Sequence, residues 1–342
     1  MIAATVALTT EVMAQPREVM ERMKKLLIFV FLLPALLLGF HPDSGNAQEK
    51  RVVIGYTSRD LNNFPLFAAQ AKGFFREASI SPELVQVRST VGLAGLLSGS
   101  VDYNTSFSSA IRWAAQGSPV VGAMSMVDRP NFYLIVRPEI RNVTDLRGKA
   151  VGVGTVGAIN DIITRKMLAH FGVGPDKVTM IGIGDLPVRM AALRSGSIQA
   201  TTAPPPAPIQ AKEMGLRVLA FAGDIVELPL AGLSTTTAKL KSARSEVVSV
   251  VTTVLRGLLF IRNRRQESVD IMQKIFKMDR AAAEASYDLS VKSYSVDGSA
   301  SLAGIQNVLE IGRTQAGNRQ VTPSDVVDFG PLREAQAALG IR

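Results

Sequence analysis

Apolar and polar positions divide most of this chain into short segments that alternate between two periods. Short apolar runs predict strands at 52–56, 84–87, 119–124, 150–153, 178–181 and 217–221. Amphipathic segments between these runs predict helices at 64–76, 91–97, 158–171 and 188–194. Because strands that alternate with helices form mainly parallel sheets, the pattern predicts an α/β fold.

The same order of segments occurs twice, at an offset of 97 residues. Residues 98–100 (Ser-Gly-Ser) correspond to residues 195–197 (Ser-Gly-Ser), and Gly55 corresponds to Gly152. An ordered internal repeat of this length predicts two similar lobes. Ligands of such sheets bind beyond the carboxyl ends of the strands, so two lobes offer one cleft between two sets of loops.

Two extended apolar stretches, 131–137 and 228–237, are predicted to cross between the lobes. From about residue 239 onward the pattern is helical, with segments at 247–261, 266–277, 281–294 and 302–313. We expect these helices to pack back on the first lobe. This arrangement gives a discontinuous lobe 1 (48–135 and 236–342), a lobe 2 (136–235) and a hinge at the two crossings.

The first 47 residues have the pattern of an export signal. Two lysines at 24–25 precede an uninterrupted apolar run, 26–40, and small residues follow up to Ala47. As a helix this run spans about 22 Å, less than the roughly 30 Å of a bilayer core. We therefore expect a signal peptide cut after Ala47 and a periplasmic protein. An uncleaved anchor is the alternative, and either Met1 or Met23 is the start of translation.

The composition excludes several classes of chemistry. Without cysteine, the chain has no disulfide, thiolate metal site, cysteine nucleophile or lipidated amino-terminal cysteine. Two histidines, His41 and His170, are too few for a multi-histidine metal centre, so neither a metal nor a cofactor is predicted. A net charge of +9 favours an anionic ligand or membrane surface, or is simply a solubilising charge. Nucleic acid is not an expected partner, because the chain is exported and has no long basic run.

A glycine motif in the second repeat suggests an alternative function. Gly152, Gly154 and Gly157 follow a predicted strand and open a predicted helix, as in dinucleotide-binding proteins. However, Asp176 precedes the next strand and Asp185 lies beyond the usual spacing for a ribose contact. An exported protein would also have to find its nicotinamide outside the cytoplasm. We prefer the simpler interpretation that free backbone N–H groups at this helix start bind an anion.

Several motifs together carry a resemblance to a known family. They are residues 55–58 (Gly-Tyr-Thr-Ser), 71–75 (Ala-Lys-Gly-Phe-Phe), 97–102 (Leu-Ser-Gly-Ser-Val-Asp), 117–121 (Gly-Ser-Pro-Val-Val), 145–152 (Asp-Leu-Arg-Gly-Lys-Ala-Val-Gly) and 192–198 (Ala-Leu-Arg-Ser-Gly-Ser-Ile). With these motifs in this order, the chain resembles the solute-binding proteins of nitrate/sulfonate/taurine ABC importers over nearly all of its mature length. The resemblance implies a two-lobed type II periplasmic-binding fold, a monomer, and an ABC permease with its ATPase subunit as partners. Two departures are Gln199, where Asp is usual, and the proline run 204–206.

The candidate ligand residues lie on loops that follow strands or open helices. In lobe 1 they are Thr57, Ser58, Asn62, Phe64, Thr90, Ser106 and Ser108, and in lobe 2 they are Thr155, Gly157, Ala158, Thr202, Ala203 and Pro204. Hydroxyls and free N–H groups at such positions bind small polar head groups, whereas prolines offer shape and carbonyl acceptors. The alternative for each is a turn, cap or core role. Ser89 or Thr90 is expected to cap the helix beginning at Val91, and Ser109 the next helix.

Three arginines, Arg59, Arg129 and Arg189, are candidate counter-charges for an anionic solute. A guanidinium binds a carboxylate or sulfonate in a bidentate manner, although most arginines are solvated or paired with protein acids. Trp113 is expected in the core, and His170 at the carboxyl end of a helix dipole.

The sequence contains no catalytic constellation such as a Gly-x-Ser-x-Gly elbow. Our first hypothesis is therefore a soluble receptor of an ABC importer that closes two lobes around a small polar or anionic organic solute. The alternative is an exported enzyme on the same scaffold, and a third hypothesis is a periplasmic sensory module.

Overall fold

Ten strands within residues 49–316 and 320–341, which the computed structural model describes, form two five-stranded sheets. The first contains β1 (Lys50–Tyr56), β2 (Ile80–Gln86), β3 (Tyr103–Asn104), β4 (Val120–Val127) and β10 (Ala231–Thr236), in the order β2-β1-β3-β10-β4. The second contains β5 (Tyr133–Val136), β6 (Ala150–Val153), β7 (Thr179–Gly182), β8 (Ala200–Ala203) and β9 (Arg217–Phe221), in the order β7-β6-β8-β5-β9. The expected export signal lies outside the described residues.

Helices flank both sheets, which confirms the predicted α/β class. Those of the two repeats are α1 (Phe64–Ala71), α2 (Phe74–Glu77), α3 (Ser89–Ser98), α4 (Phe107–Ala115), α5 (Ile159–His170), α6 (Leu186–Ser195) and α7 (Ala207–Glu213). Those that follow are α8 (Thr237–Ser242), α9 (Arg244–Asn263), α10 (Arg265–Phe276), α11 (Arg280–Ser290), α12 (Leu302–Ala316), α13 (Pro323–Val326) and α14 (Gly330–Ala338). Among the described residues, no helix combines the length and hydrophobicity needed to span a bilayer.

The two connections between the sheets join their carboxyl edges. β1, β3 and β4 run in one direction, and β10 is antiparallel to both β3 and β4. In the second sheet β6 and β8 are parallel, and β5 is antiparallel to β8 and β9. The first crossing, 128–132, therefore leaves one carboxyl edge and enters the other, and the second crossing, 222–230, returns the same way. Loops that follow the strands of both sheets consequently meet at one cleft.

The predicted lobe boundaries, at 135/136 and 235/236, would each divide a strand between the two lobes. β5 pairs within the second sheet, and β10 pairs within the first. We use first lobe and second lobe for each sheet with the helices packed on it. The extent of each lobe as a folding unit remains a prediction.

The long helix α9 attaches the carboxyl-terminal part of the chain to the first lobe. Its buried side chains include Val247, Val250, Val254 and Leu258, which join the same core as strands β1 and β4. Full burial of such a side chain stabilises by roughly 1.5–3 kcal/mol. The predicted packing of this helix on the first lobe is confirmed.

Two predicted helix caps are wrong. α3 begins at Ser89 without a side-chain capping bond, so Thr90 lies inside the first turn. α4 begins at Phe107, which places Ser109 inside the helix. In both cases only two residues separate the helix from the preceding strand, so the helix begins before the hydroxyl that was expected to cap it. The predicted helix 64–76 is divided into α1 and α2 at Gly73, which has a left-handed backbone with φ +75°.

An ionic cluster lies at the amino edge of the first sheet, opposite the cleft. Lys239 Nζ lies 2.6 Å from Asp102 Oδ1 and 2.8 Å from Glu246 Oε1, and the Tyr103 hydroxyl donates to the same Glu246 oxygen at 3.0 Å. Lys50 Nζ contacts the second Glu246 oxygen at 2.5 Å. Burial alone raises the pKa of Glu246, but the hydrogen bonds from Lys239 and Lys50 outweigh it and hold that pKa below its ordinary value of 4.5.

Replacing Glu246 by Gln is expected to lower the free energy of unfolding at neutral pH by about 1–3 kcal/mol, because charge-assisted hydrogen bonds are lost. A carboxyl with a depressed folded pKa contributes stability above its unfolded pKa and loses it as pH falls through the folded pKa. The difference from wild type should therefore shrink below pH 4.5. Urea unfolding at neutral and acidic pH measures it, and Glu334→Gln, in the exposed pair with Arg244, is the control. A difference independent of pH contradicts the prediction.

Candidate functional site

Small polar residues occupy the carboxyl edge of the first sheet. Gly55 in β1 pairs with Asn104 in β3, and Asn104 pairs with Ser234 in β10. The Thr105 N–H donates to the Gly55 carbonyl at 2.9 Å, and the Thr105 carbonyl accepts from Gly232 at 3.1 Å. Asn104 Nδ2, Thr105 Oγ1 and Ser234 Oγ are buried and have no hydrogen-bond partner within the described part of the chain. Such groups are ones that a ligand or water would satisfy.

The loop after β1 folds around Asp60. Ser58 Oγ donates to Asp60 Oδ2 at 2.5 Å, and the Asn62 N–H donates to Asp60 Oδ1 at 2.9 Å. Asn63 Nδ2 donates to the Ser58 carbonyl at 2.9 Å. Burial raises the pKa of Asp60, although these hydrogen bonds oppose the rise. The loop therefore presents a half-buried acid whose position is fixed by side chains and backbone N–H groups of the same loop.

A buried arginine lies at the carboxyl edge of the second sheet. Arg189, on α6, is 7% exposed, and its Nη1 donates to Asn160 Oδ1 at 3.0 Å. The same oxygen accepts from the Gly154 N–H at 3.3 Å, directly after β6, while Asn160 Nδ2 donates to Thr202 Oγ1 on β8 at 2.8 Å. Thr164 Oγ1 lies 2.7 Å from Thr202 Oγ1. The guanidinium thus contacts Asn160 in the first turn of α5, and Asn160 in turn contacts the ends of two strands.

Arg189 forms no ion pair with a carboxylate of the described residues. No carboxylate of the described residues lies within 4 Å of it, and its Nε has no hydrogen-bond partner there. Burial lowers the pKa of Arg189, and only Asp185 opposes this effect. A buried guanidinium with a free donor at the ligand edge of a sheet is suited to an anionic group.

A cavity of about 320 Å³ lies between the two lobes. Its first-lobe wall consists of Arg59, Asp60 and Leu61, together with residues 275–278 at the end of α10. Pro205 and Pro206, which follow β8, form the second-lobe wall. Loops of both sheets therefore line one space, as the crossing geometry requires. Within the described residues, no group of three or more acidic or histidine side chains is suited to hold a metal.

Hydrogen bonds tie the two crossings and the start of β5 to the helices α4 and α11. Ser108 Oγ donates to the Pro229 carbonyl in the second crossing. Asn131 Nδ2 in the first crossing donates to Ser290 Oγ at 3.1 Å, and the Tyr133 hydroxyl donates to the Leu289 carbonyl at 2.8 Å. These contacts fix the path of the chain between the two sheets.

Several predicted ligand residues gather at the two carboxyl edges. In the first lobe these are Ser58, Asn62 and Ser106, and in the second lobe they are Arg189 and Thr202. Ser106 is buried, and its Oγ has no partner among the described residues. Ala203 and Pro204 follow Thr202 toward the cavity wall. Contact with a ligand remains a prediction for all of them.

The remaining predicted residues lie apart from these groups or have other partners. Those exposed to solvent are Thr57, Thr90, Arg129, Thr155 and Gly157, and Arg59 is exposed at the cavity. The Gly157 N–H already donates to Asp161 Oδ2 at 2.7 Å, and Ala158 is the N-cap of α5. Phe64 is fully buried with its ring centroid 5.8 Å from that of Phe276, as the core alternative expects.

Three residues of the site were not assigned by the sequence: Asn160, Asp60 and Asn104. The internal repeat contains a signal for the first, because the offset of 97 residues aligns Asn63 with Asn160. The same offset aligns Gly92 with Arg189. A Cβ at Gly92 would lie 2.0 Å from Asn104 Nδ2, so the first lobe has no room for the arginine's counterpart.

Comparison with known families gives one match that covers most of the fold. A family model described as "NMT1/THI5 like" matches residues 60–268. A curated relative, a 4-amino-5-hydroxymethyl-2-methylpyrimidine phosphate synthase of Saccharomyces cerevisiae, is 27% identical over 127 residues, 36% of this chain. The chain spans 37% of the length of that relative.

Two solved structures share the fold over nearly their whole length. A putative sulfonate ABC transporter's periplasmic sulfonate-binding protein from Methylobacillus flagellatus superimposes with a TM-score of 0.70 at 15% identity, covering 86% of this chain and 96% of that one. The periplasmic nitrate-binding protein of Synechocystis superimposes with a TM-score of 0.67 at 16% identity, covering 85% of this chain and 89% of that one. At such identities the likeness is one of fold.

Proposed function

Because this chain belongs to the NMT1/THI5-like family, we propose that it is the periplasmic solute receptor of an ABC importer. Its solute is a small anionic or polar organic molecule that binds between the two lobes. The observation that carries the proposal is Arg189, a buried guanidinium without an acidic partner in the described residues, at the ligand edge of the second sheet. Without an anionic ligand, only the hydrogen bond to Asn160 and the charge of Asp185 offset the desolvation cost of this guanidinium.

The first lobe supplies the other half of the site. Asn104 Nδ2, Thr105 Oγ1 and Ser106 Oγ are buried polar atoms without partners in the described residues, at the edge that meets the second lobe. A solute held by Arg189 would satisfy these groups when the lobes approach each other. Contacts made to both lobes favour the closed form, which then presents one surface to the permease and its ATPase subunit.

Export is part of the proposal. The apolar run 26–40 with its preceding lysines supports a cleavable signal, and the neighbours of known fold include periplasmic binding proteins. Production in a Gram-negative host should place the protein in the periplasm with Gln48 as its first residue. Fractionation and amino-terminal sequencing measure both, and an uncut membrane-bound chain contradicts the proposal.

The decisive experiment is a thermal-shift and calorimetry screen of the exported protein against sulfonates, carboxylates, nitrate, bicarbonate and pyrimidines. A ligand at 100 times its Kd stabilises by about 2.7 kcal/mol, which moves the melting temperature by several degrees. Each hit is then incubated with the protein and quantified by mass spectrometry. Recovery of the unchanged solute supports a receptor. Consumption of the solute would contradict the receptor hypothesis and indicate an enzyme, as the yeast relative is. Absence of any hit contradicts the proposed solute class.

A further inference from the structure

The amino edge of the second sheet, which faces away from the cleft, carries a group of exposed cations. Within residues 49–316 and 320–341, none of these side chains forms an ion pair: Arg141, Lys149, Arg194, Lys212 and Arg217. Arg217 pairs with Val136 at the end of β5, and the next residue, Arg137, donates from Nη1 to the Arg194 carbonyl at 3.1 Å. Lys149 directly precedes β6 at the same edge. We call these five cations the basic face.

The acids at this edge do not neutralise the basic face. Glu139 and Asp176 are each paired with another cation of the edge. Asp145 accepts two backbone N–H groups, and Glu213 is exposed at the end of α7. The edge therefore has an excess of positive charge.

The equivalent edge of the first sheet is built differently. At the offset of 97 residues, Lys149, Arg194, Lys212 and Arg217 align with Val52, Leu97, Ala115 and Val120. Helices α8 and α9 cover that edge, because the Thr237 N–H donates to the Pro119 carbonyl at 3.0 Å and Glu246 pairs with Lys50. The basic face is thus specific to the second lobe, and the fold that the two lobes share does not require it.

Exposed apolar side chains lie at the same edge. Phe171 follows α5 and is 36% exposed, and Met214 follows α7 and is 46% exposed. A cavity of about 350 Å³ beside Phe171 has Arg141 and Leu219 in its wall. Cationic and apolar groups side by side match the boundary of an anionic bilayer, where phosphate groups lie next to acyl chains. A soluble polyanion would satisfy the cations but leave the two apolar side chains in water.

We propose that the basic face docks on the anionic phospholipid head groups of a membrane, with Phe171 and Met214 at the head-group boundary. This inference goes beyond the proposed function: it rests on the export part of that proposal and is independent of the solute. Because the cleft lies at the opposite edge of the sheet, a docked protein keeps its ligand loops accessible. Attraction of several exposed cations to a charged surface is screened by salt, so the docking is reversible.

Flotation with vesicles of phosphatidylglycerol and phosphatidylcholine measures this docking. The exported protein is used, and its start at Gln48 is checked first, because the apolar run 26–40 would itself bind a bilayer. At low salt, wild type should bind these vesicles roughly tenfold or more tightly than vesicles of phosphatidylcholine alone. This preference should fall steeply as the salt concentration rises to about 0.15 M.

The test variant combines Lys149→Gln, Arg194→Gln, Lys212→Gln and Arg217→Gln, and its preference for phosphatidylglycerol should fall to about twofold or less. The melting temperature and solute affinity should stay unchanged, because all four side chains are exposed and lie away from the cleft. Should this variant misfold, Lys149→Gln with Arg194→Gln and Lys212→Gln with Arg217→Gln are tested as two pairs, each of which should lose part of the preference.

The control variant removes the same charge from exposed first-lobe cations that form no ion pair in the described part of the chain: Arg76→Gln, Lys241→Gln, Lys274→Gln and Arg333→Gln. It should keep the preference. Undiminished vesicle binding in the test variant, or an equal loss in the control, overturns the inference and leaves the receptor function intact. Phe171→Gln should weaken binding to vesicles but not to dextran sulfate. If it changes neither, and wild type binds dextran sulfate as tightly as vesicles, the partner is a soluble polyanion and the inference fails.

Discussion

Replacing Arg189 by Met is expected to weaken solute binding on the order of 10- to 100-fold while the protein remains folded. A hydrogen bond to a charged group contributes about 1.5–3 kcal/mol, and each 1.4 kcal/mol corresponds to a tenfold change in Kd. Arg189 has a free Nε and lies where Gly154, Asn160 and Thr202 meet at the ligand edge. The loss should be largest for the solute with the strongest anionic charge.

The same substitution should not destabilise the protein without ligand. Methionine approximates the length of the buried stem, and it removes a charge whose burial lowers its pKa and is not compensated by an ion pair in the described residues. Asn160 Oδ1 keeps the Gly154 N–H as a donor. We therefore expect a melting temperature at or above that of wild type, in line with the general conflict between binding-site function and stability.

Calorimetry with the best solute of the screen measures the first effect, and thermal unfolding without solute measures the second. Arg194→Met, an exposed arginine on the same helix, is the matched control and should change neither. Undiminished affinity in Arg189→Met would show that the anionic group binds elsewhere. The affinity of Arg189→Lys should lie between those of wild type and Arg189→Met, because lysine keeps the charge but lacks the planar pair of N–H donors of a guanidinium.

The fold could be predicted from the sequence to a large extent because its periodicity is local. The strands at 150–153 and 217–221 were predicted to the residue, and the repeat at 97 residues gave two lobes. The position of β10 could not be predicted. An apolar run of period two fixes which side chains face the core, but not which strands are neighbours, so the insertion of Ala231–Thr236 between β3 and β4 depends on tertiary packing.

The site was less predictable, because the partners of its residues also depend on tertiary packing. Arg189 was identified as a possible counter-charge, but its lack of an acid partner is a property of the packed second lobe and not of its helix. Asn160 looks like an ordinary polar residue in a first helical turn until Gly154, Thr202 and Arg189 converge on it. In the sequence, only the alignment of Asn160 with Asn63 in the internal repeat indicated a role for it.

Replacing Gly257 by Ala is expected to destabilise the protein by about 1–3 kcal/mol, although alanine is the better helix former. In an exposed helix this change would contribute roughly 1 kcal/mol of stability. Here a Cβ at 257 would lie 2.3 Å from the Pro65 carbonyl oxygen and 2.8 Å from the Ala69 Cβ. A backbone carbonyl cannot rotate away as a side chain can, so α9 and α1 must separate, and overpacking of this kind outweighs the propensity gain.

The displacement should also reach the cleft. α1 begins at Phe64, directly after Asn63 and the Asp60 loop, so a shift of α1 moves the first-lobe half of the site. We expect a lower melting temperature together with weaker solute binding. Gly312→Ala in α12 is the control, since its nearest neighbour is the Arg112 side chain at 3.3 Å, which can adjust. A Gly257→Ala protein as stable as wild type would mean that α1 and α9 separate at little cost. Lost stability with unchanged affinity would instead show that the Asp60 loop keeps its geometry independently of the helix that follows it.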